Sequence, residues 1–141
     1  MTPRRTLLVG LALLPLPSLA AEETLAAAIA AVVRGRAVRK GGMAITAPSV
    51  AENGGQVPVT VTVDAPQDAT LRATAIHLFA TRNPTPGVVS FRLSAAVAKP
   101  EVTTRIRLAE DQVVIAIAEM SDGTVRRAAA SVRVTTGGCL T

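Results

Sequence analysis

The 141-residue chain has one cysteine, Cys139, placed third from its end directly after Gly137 and Gly138. Structural cysteines are usually buried as small hydrophobes. A chain terminus is ordinarily the least buried part of a domain, and two glycines give the backbone before this sulfur wide freedom. A lone cysteine excludes an intrachain disulfide framework. In an exported protein it points instead to an intermolecular disulfide or a reactive thiol, with a chance cysteine in a frayed tail as the bland alternative. Fully extended, Thr135 to Cys139 spans about 17 Å. That is enough to carry a sulfur into another protein's cleft while the domain stays outside. The thiolate is the nucleophilic form of cysteine. A thin arm bearing it describes a carrier that presents a covalently held group to other proteins.

No partner for that thiol stands out elsewhere in the chain. His77, the one histidine, alternates with Ile76 and Leu78, so it is expected on the polar face of a strand as an ordinary surface or edge residue. A catalytic Cys–His pair would need it beside the tail. Asp64, Asp68, Glu110, Asp111 and Asp122 read as acids flanking turns. One histidine and one cysteine fall short of the roughly four ligands of a structural zinc site, and no metal or cofactor is expected. Trp and Tyr are absent and Phe occurs twice, at Phe79 and Phe91, which leaves too few rings for base stacking along a single-stranded nucleic acid. Hydrophobic residues make up 49% of the chain, which excludes intrinsic disorder.

The N-terminus reads as an export signal. Arg4 and Arg5 precede the apolar run from Leu7 to Leu14, then Pro15 and Pro17, then a small-residue site at Ser18-Leu19-Ala20. The run is too short and too interrupted by proline to cross a bilayer about 30 Å thick. Arg4-Arg5-Thr6-Leu7-Leu8 also resembles a twin-arginine signal. Residues 1–20 are therefore expected to be removed on export to an oxidising compartment, leaving no membrane segment. Without Arg4 and Arg5 the fifteen basic residues become thirteen against ten acidic, a net charge of +3. These cations are scattered, as on a solvated surface, and no nucleic-acid partner is expected.

The elements that must carry the arm follow from periodicity. Residues 21–42 form a helix and linker. Glu22 to Val33 is Ala-rich, with Leu25, Ile29, Val32 and Val33 on one stripe, acids in its first turn and Arg34 and Arg36 beyond its end, as the helix dipole favours. Gly35 stops it. From residue 43 to 136 the period changes to two. Strands are predicted at Met43–Thr46, Val57–Val63, Ala73–Ala80, Val88–Leu93, Val102–Leu108, Val113–Glu119, Thr124–Arg127 and Ser131–Thr135. Pro58 implies an edge strand or a strand start, and Ser121-Asp122-Gly123 is a hairpin turn. Such strands, with no helix between them, predict an all-β, immunoglobulin-like antiparallel β-sandwich with a short N-terminal helix. Val113 to Ala118 is apolar on both faces. It is either a central strand under the helix or a strand whose outer face, through Ile115 or Ile117, meets a partner chain. Residues 137–141 remain as the arm.

Several stretches resemble a known family, SoxY, the sulfur-carrier subunit of bacterial thiosulfate oxidation. They are Glu52-Asn53-Gly54 with VPVTVTVDAP, AIHLFATRNPTPGVVSFRLS, EVTTRIRLAEDQVVIAIAEMSDGT and VRVTTGGC. The resemblance implies a periplasmic carrier that pairs with a SoxZ-like subunit and has no turnover of its own. Its attachment residue would be Cys139, with Gly137 and Gly138 as the flexible arm. It also implies transient partners: a haem-containing enzyme that couples thiosulfate to the thiol, a hydrolase that releases sulfate, and a dehydrogenase for the remaining sulfane sulfur. The family's cysteine is usually followed by two more glycines, whereas this chain ends in Leu140-Thr141.

Overall fold

The computed structural model describes residues 20–135. It opens with helix α1 (Ala20–Val33) and continues as nine strands: β1 (Val38–Lys40), β2 (Met43–Thr46), β3 (Val50–Ala51), β4 (Val57–Val63), β5 (Ala73–Ala80), β6 (Gly87–Arg92), β7 (Glu101–Ile106), β8 (Gln112–Met120) and β9 (Val125–Val134). The larger sheet runs β1-β9-β8-β5-β6, with β3 also on the outer edge of β9, and the smaller runs β2-β4-β7. This is the immunoglobulin-like β-sandwich that the period-two pattern predicts.

Alternation fills the space between the sheets. Val57, Val59, Val61 and Val63 of β4 face Ile76 and Leu78 of β5 and Val114, Ala116 and Ala118 of β8. The opposite face of β4 carries Thr60, whose hydroxyl meets that of Thr103 at 3.0 Å, and Thr62, which donates to Glu101 at 3.0 Å. Pro58 lies in the middle strand of its sheet, but β2 extends along β4 only as far as Thr60. The proline therefore sits near the strand start, with β7 alone paired beside it. The hairpin turn before β9 forms as predicted. Gly123 has a φ of 84°, and the Asp122 carboxylate accepts from the amide and hydroxyl of Thr124 at 2.9 and 2.6 Å.

Between the two readings of Val113–Ala118, the fold selects the first. Strand β8 lies centrally, between β5 and β9. Its outward residues Ile115 and Ile117, with Phe79 and Val125, are covered by Leu25, Ala28, Ile29, Val32 and Val33 of α1. Ile115 and Ile117 are only 3% and 1% exposed, so neither is available to a partner chain. The helix stripe and the apolar outer face of the sheet satisfy one another.

Three details differ from the expected layout. The segment read as a linker contains β1, and both β1 and the two-residue β3 run parallel to β9, so the sandwich is not wholly antiparallel. The strands expected at Thr124–Arg127 and Ser131–Thr135 are one strand. Ala128, Ala129 and Ala130 have weak strand preference, but pairing with Ala116, Ile115 and Val114 carries β9 through them. Helix α1 starts two residues early and ends with Arg34 (φ 50°) and Gly35 (φ 69°) both left-handed. Its exposed carbonyls are closed by the Arg36 guanidinium, which donates to Val33 and Val32.

Candidate functional site

The site is the root of the arm. Cys139, Gly137 and Gly138 lie outside the described residues, as do residues 1–19 of the leader expected at 1–20. The described chain ends at Thr135, and three contacts fix that end. Arg133 and Thr135 donate their amides to the carbonyls of Ser49 and Ala51 at 2.9 and 3.1 Å, which is the β3 pairing. The Val134 amide, on the other edge, donates to the Asp111 carboxylate at 2.6 Å. Asp111, read from the sequence as one acid among several beside turns, is thus the residue that ties the loop before β8 to the last turn-out of β9.

Beside it, buried Gln112 is fully engaged. Its side-chain oxygen accepts from the Arg82 amide at 2.9 Å, and its nitrogen donates to Asn83 Oδ1 at 2.9 Å and to the Glu110 carbonyl at 3.1 Å. Asn83 in turn donates to the Arg107 carbonyl at 2.7 Å. Satisfied networks of this kind rigidify the loops they join. An arm leaving this end of the sandwich starts from a fixed point. Nothing in the sequence pattern singled out Asn83 or Gln112. Asn83 opens the Asn-Pro-Thr-Pro-Gly stretch that leads from β5 into β6, and its long-range bonds depend on the fold.

His77 is not the surface or edge histidine expected. Its strand, β5, is flanked by β6 and β8, and α1 packs over that face of the sheet. The side chain is 14% exposed. Nδ1 lies 2.6 Å from the Ser90 hydroxyl. Nε2 lies 3.4 Å from a Glu119 carboxylate oxygen, within ion-pair range but without a formed hydrogen bond. The same Glu119 oxygen accepts from Arg36 at 3.1 Å, with Arg34 at 3.8 Å. Burial pushes the His77 pKa below its usual 6.5, further than the Glu119 carboxylate raises it, and the Arg92 and Arg36 charges add to the lowering. Burial alone would raise Glu119, but the Arg36 hydrogen bond and charge, with His77 and Arg34, hold it below its usual 4.5. This cluster clamps the end of α1 to β8 and β5.

It is also far from Thr135, where the described chain ends. The ladder puts His77 level with Ile117 and thus Arg127, about 26 Å along β9 from Thr135 at ~3.3 Å per residue. The histidine therefore does not sit at the end of β9 where the described chain stops. Among the described residues no group of three His, Cys, Asp or Glu side chains converges as a metal site, and no described helix is long and apolar enough to cross a membrane.

Residues 29–139 match the family described as "Sulfur oxidation protein SoxY", so the match runs as far as the cysteine. The chain belongs to the SoxY family. The structure of the sulfur carrier protein SoxY from Chlorobium limicola f thiosulfatophilum is 35% identical, covers 81% of this chain and 98% of that one, and superposes with a TM-score of 0.66. Superoxide reductases share the fold alone. The neelaredoxin from Ignicoccus hospitalis is 21% identical over 67% of this chain and 80% of its own (TM-score 0.58), and the enzyme from Nanoarchaeum equitans 12% over 68% and 98% (TM-score 0.56). No curated protein matches the chain. Membership of the SoxY family makes this a sulfur-oxidation carrier protein.

Proposed function

We propose that the protein carries thiosulfate-derived sulfur on Cys139 in the periplasm, with Gly137 and Gly138 as the swinging part of the arm. The observation that carries this reading is a family match that runs through to Cys139, in a chain whose preceding strand is held in place up to Thr135. The loading step joins the Cys139 thiolate to the sulfane sulfur of thiosulfate. One sulfur–sulfur bond forms and two electrons leave to a haem-containing partner. Hydrolysis by a second partner then cleaves the bond between the two thiosulfate-derived sulfurs; water supplies the oxygen of the departing sulfate, and a persulfide remains on Cys139. A dehydrogenase partner acts on that sulfane sulfur. A SoxZ-like subunit is the permanent companion. The carrier supplies the nucleophile and its reach, and the partners supply electron acceptance and hydrolysis.

Two measurements test the reading. Mass spectrometry of the exported protein is expected to find thiosulfonate or persulfide adducts on Cys139; disulfide-linked dimers alone would make it an interaction subunit instead. Cys139→Ser is expected to abolish thiosulfate-dependent electron transfer in a reconstituted system without lowering Tm, since a hydroxyl cannot form the sulfur–sulfur bond. Export is tested separately by N-terminal sequencing of the periplasmic protein. It is expected to begin within a residue or two of Glu22, and an intact Met1 terminus in the membrane fraction would contradict it.

A further inference from the structure

The register of β1 against β9 sets Lys40 directly opposite Arg127, and Arg39 opposite Arg126. Like charges placed opposite one another on neighbouring strands destabilise a sheet. On one face the repulsion is relieved internally, because the Arg126 guanidinium donates to the carbonyls of Gly42 and Asp64. There Gly42 has a φ of 70°, which strains any side chain, and a Cβ at that position would displace the guanidinium, 2.9 Å away. On the α1 face it is not relieved. Among the described residues no carboxylate lies within ion-pair distance of Lys40 or Arg127, and Glu119, on the same face, is already held by Arg36 and Arg34.

Beside this cation pair runs an apolar groove of about 410 Å³, walled by Ile29, Ala30 and Val33 of α1 and Val38 of β1, floored by Ile117 and bounded by Arg127. Val38 is 47% exposed, one of two large hydrophobics so exposed among the described residues. The open edge of β1 completes the surface. The Ala37 carbonyl accepts from the Val125 amide, so by alternation the backbone of Arg39 also faces β9. The amides and carbonyls of Val38 and Lys40 therefore point outward, where no described strand pairs with them.

We propose that this edge and groove are a docking site for an extended acidic segment of a partner protein. The segment adds as a strand to β1, lays an apolar side chain in the α1 groove, and sets a carboxylate two residues along over Lys40 and Arg127. The spacing follows from Val38 and Lys40 pointing to the same face. A second copy of this chain is a poor occupant, because pairing two β1 edges would bring Arg39 and Lys40 against their own counterparts. The cations that deter self-pairing select for an acidic strand. The inference does not depend on what Cys139 carries.

The test is a titration of the isotopically labelled chain, followed by NMR. The probe is a nine-residue peptide with leucine and glutamate alternating at every second position and threonine between them. Shifts are expected in Ala26–Val33, Val38–Lys40 and Arg127–Ala129. Lys40→Glu with Arg127→Glu is expected to weaken binding about ten-fold or more, and a peptide with lysine in place of glutamate is expected to restore it on that variant, which also shows the variant is folded. The proposal is overturned by equal binding of both peptides to the native chain, by shifts elsewhere, or by no binding at millimolar peptide. It is also overturned if those residues shift with protein concentration alone, which makes a second copy the occupant, or with dodecanoate but not the peptide, which makes it an anionic amphiphile.

Discussion

Glu119 is the most heavily used acid among the described residues, and its partners make the fold sensitive to acid. Burial holds the His77 pKa below its usual 6.5, so between the lowered value and 6.5 the unfolded chain binds the extra proton. Stability from His77 is therefore full above its usual 6.5 and is lost as pH falls toward the lowered folded value. Glu119, held below its usual 4.5, contributes stability that is lost at still lower pH. Denaturant midpoints are expected to fall steadily from about pH 6.5 downward. His77→Gln should remove the upper part of that decline and leave the lower part. A native chain whose midpoint rises between pH 7 and pH 5.5 would contradict the assignment. His77 lies level with Arg127, eight residues along β9 from Thr135, so at pH 7.5 His77→Gln is expected to leave sulfur loading unchanged while Cys139→Ser eliminates it. Equal losses would revive a cysteine–histidine enzyme.

Helix α1 and the outer face of the large sheet depend on each other. The helix is only 14 residues long, marginal for an isolated helix in water despite its alanines. The outer face of β8 and β5 would expose Phe79, Ile115 and Ile117 without it. Ile117→Ala, at 1% exposure, is expected to cost about 2–5 kcal/mol through lost burial and the cavity left behind. Ile117→Arg puts an unpaired charge beneath α1 and should either release the helix or unfold the chain. Hydrogen exchange distinguishes the two results. Fast exchange confined to Ala20–Val33 means release, and exchange throughout means unfolding. An Ile117→Arg chain with native Tm and a protected helix would show that α1 does not cover the strand.

At the scale of the molecule, the described residues bury two hydrophobic clusters of their own and leave the α1 groove and Val38 open. One core lies between the sheets and a second between the large sheet and α1. Neither needs a partner chain to complete it, although a small sandwich poor in aromatic residues, with an apolar central strand, invites that expectation. The chain is therefore expected to sediment as a folded monomer under reducing conditions and to unfold in one cooperative calorimetric transition without any companion subunit. A chain that is molten or aggregated until a companion is added would contradict this.

Much of this was legible in the chain itself, because its signals are local. Alternating valines give a strand its two faces wherever it pairs, an Asp-Gly pair tolerates the turn whatever follows, and Ala-rich spacing marks a helix stripe. Other features arise from residues far apart in the chain, and no local pattern encodes them. The apolar outer face of β8 could have met a partner or its own helix, and only the return of α1 across the sheet distinguishes the two. Ala128–Ala130 lacks strand preference and is extended because β8 lies beside it. His77 alternates like a surface residue yet is buried, since the polar face of β5 is the face α1 covers. Asp111 became the anchor of the arm's root through a bond spanning 23 residues. The parallel strands β1 and β3 are too short to show a period, and they exist because β9 offers an edge along which each can hydrogen-bond.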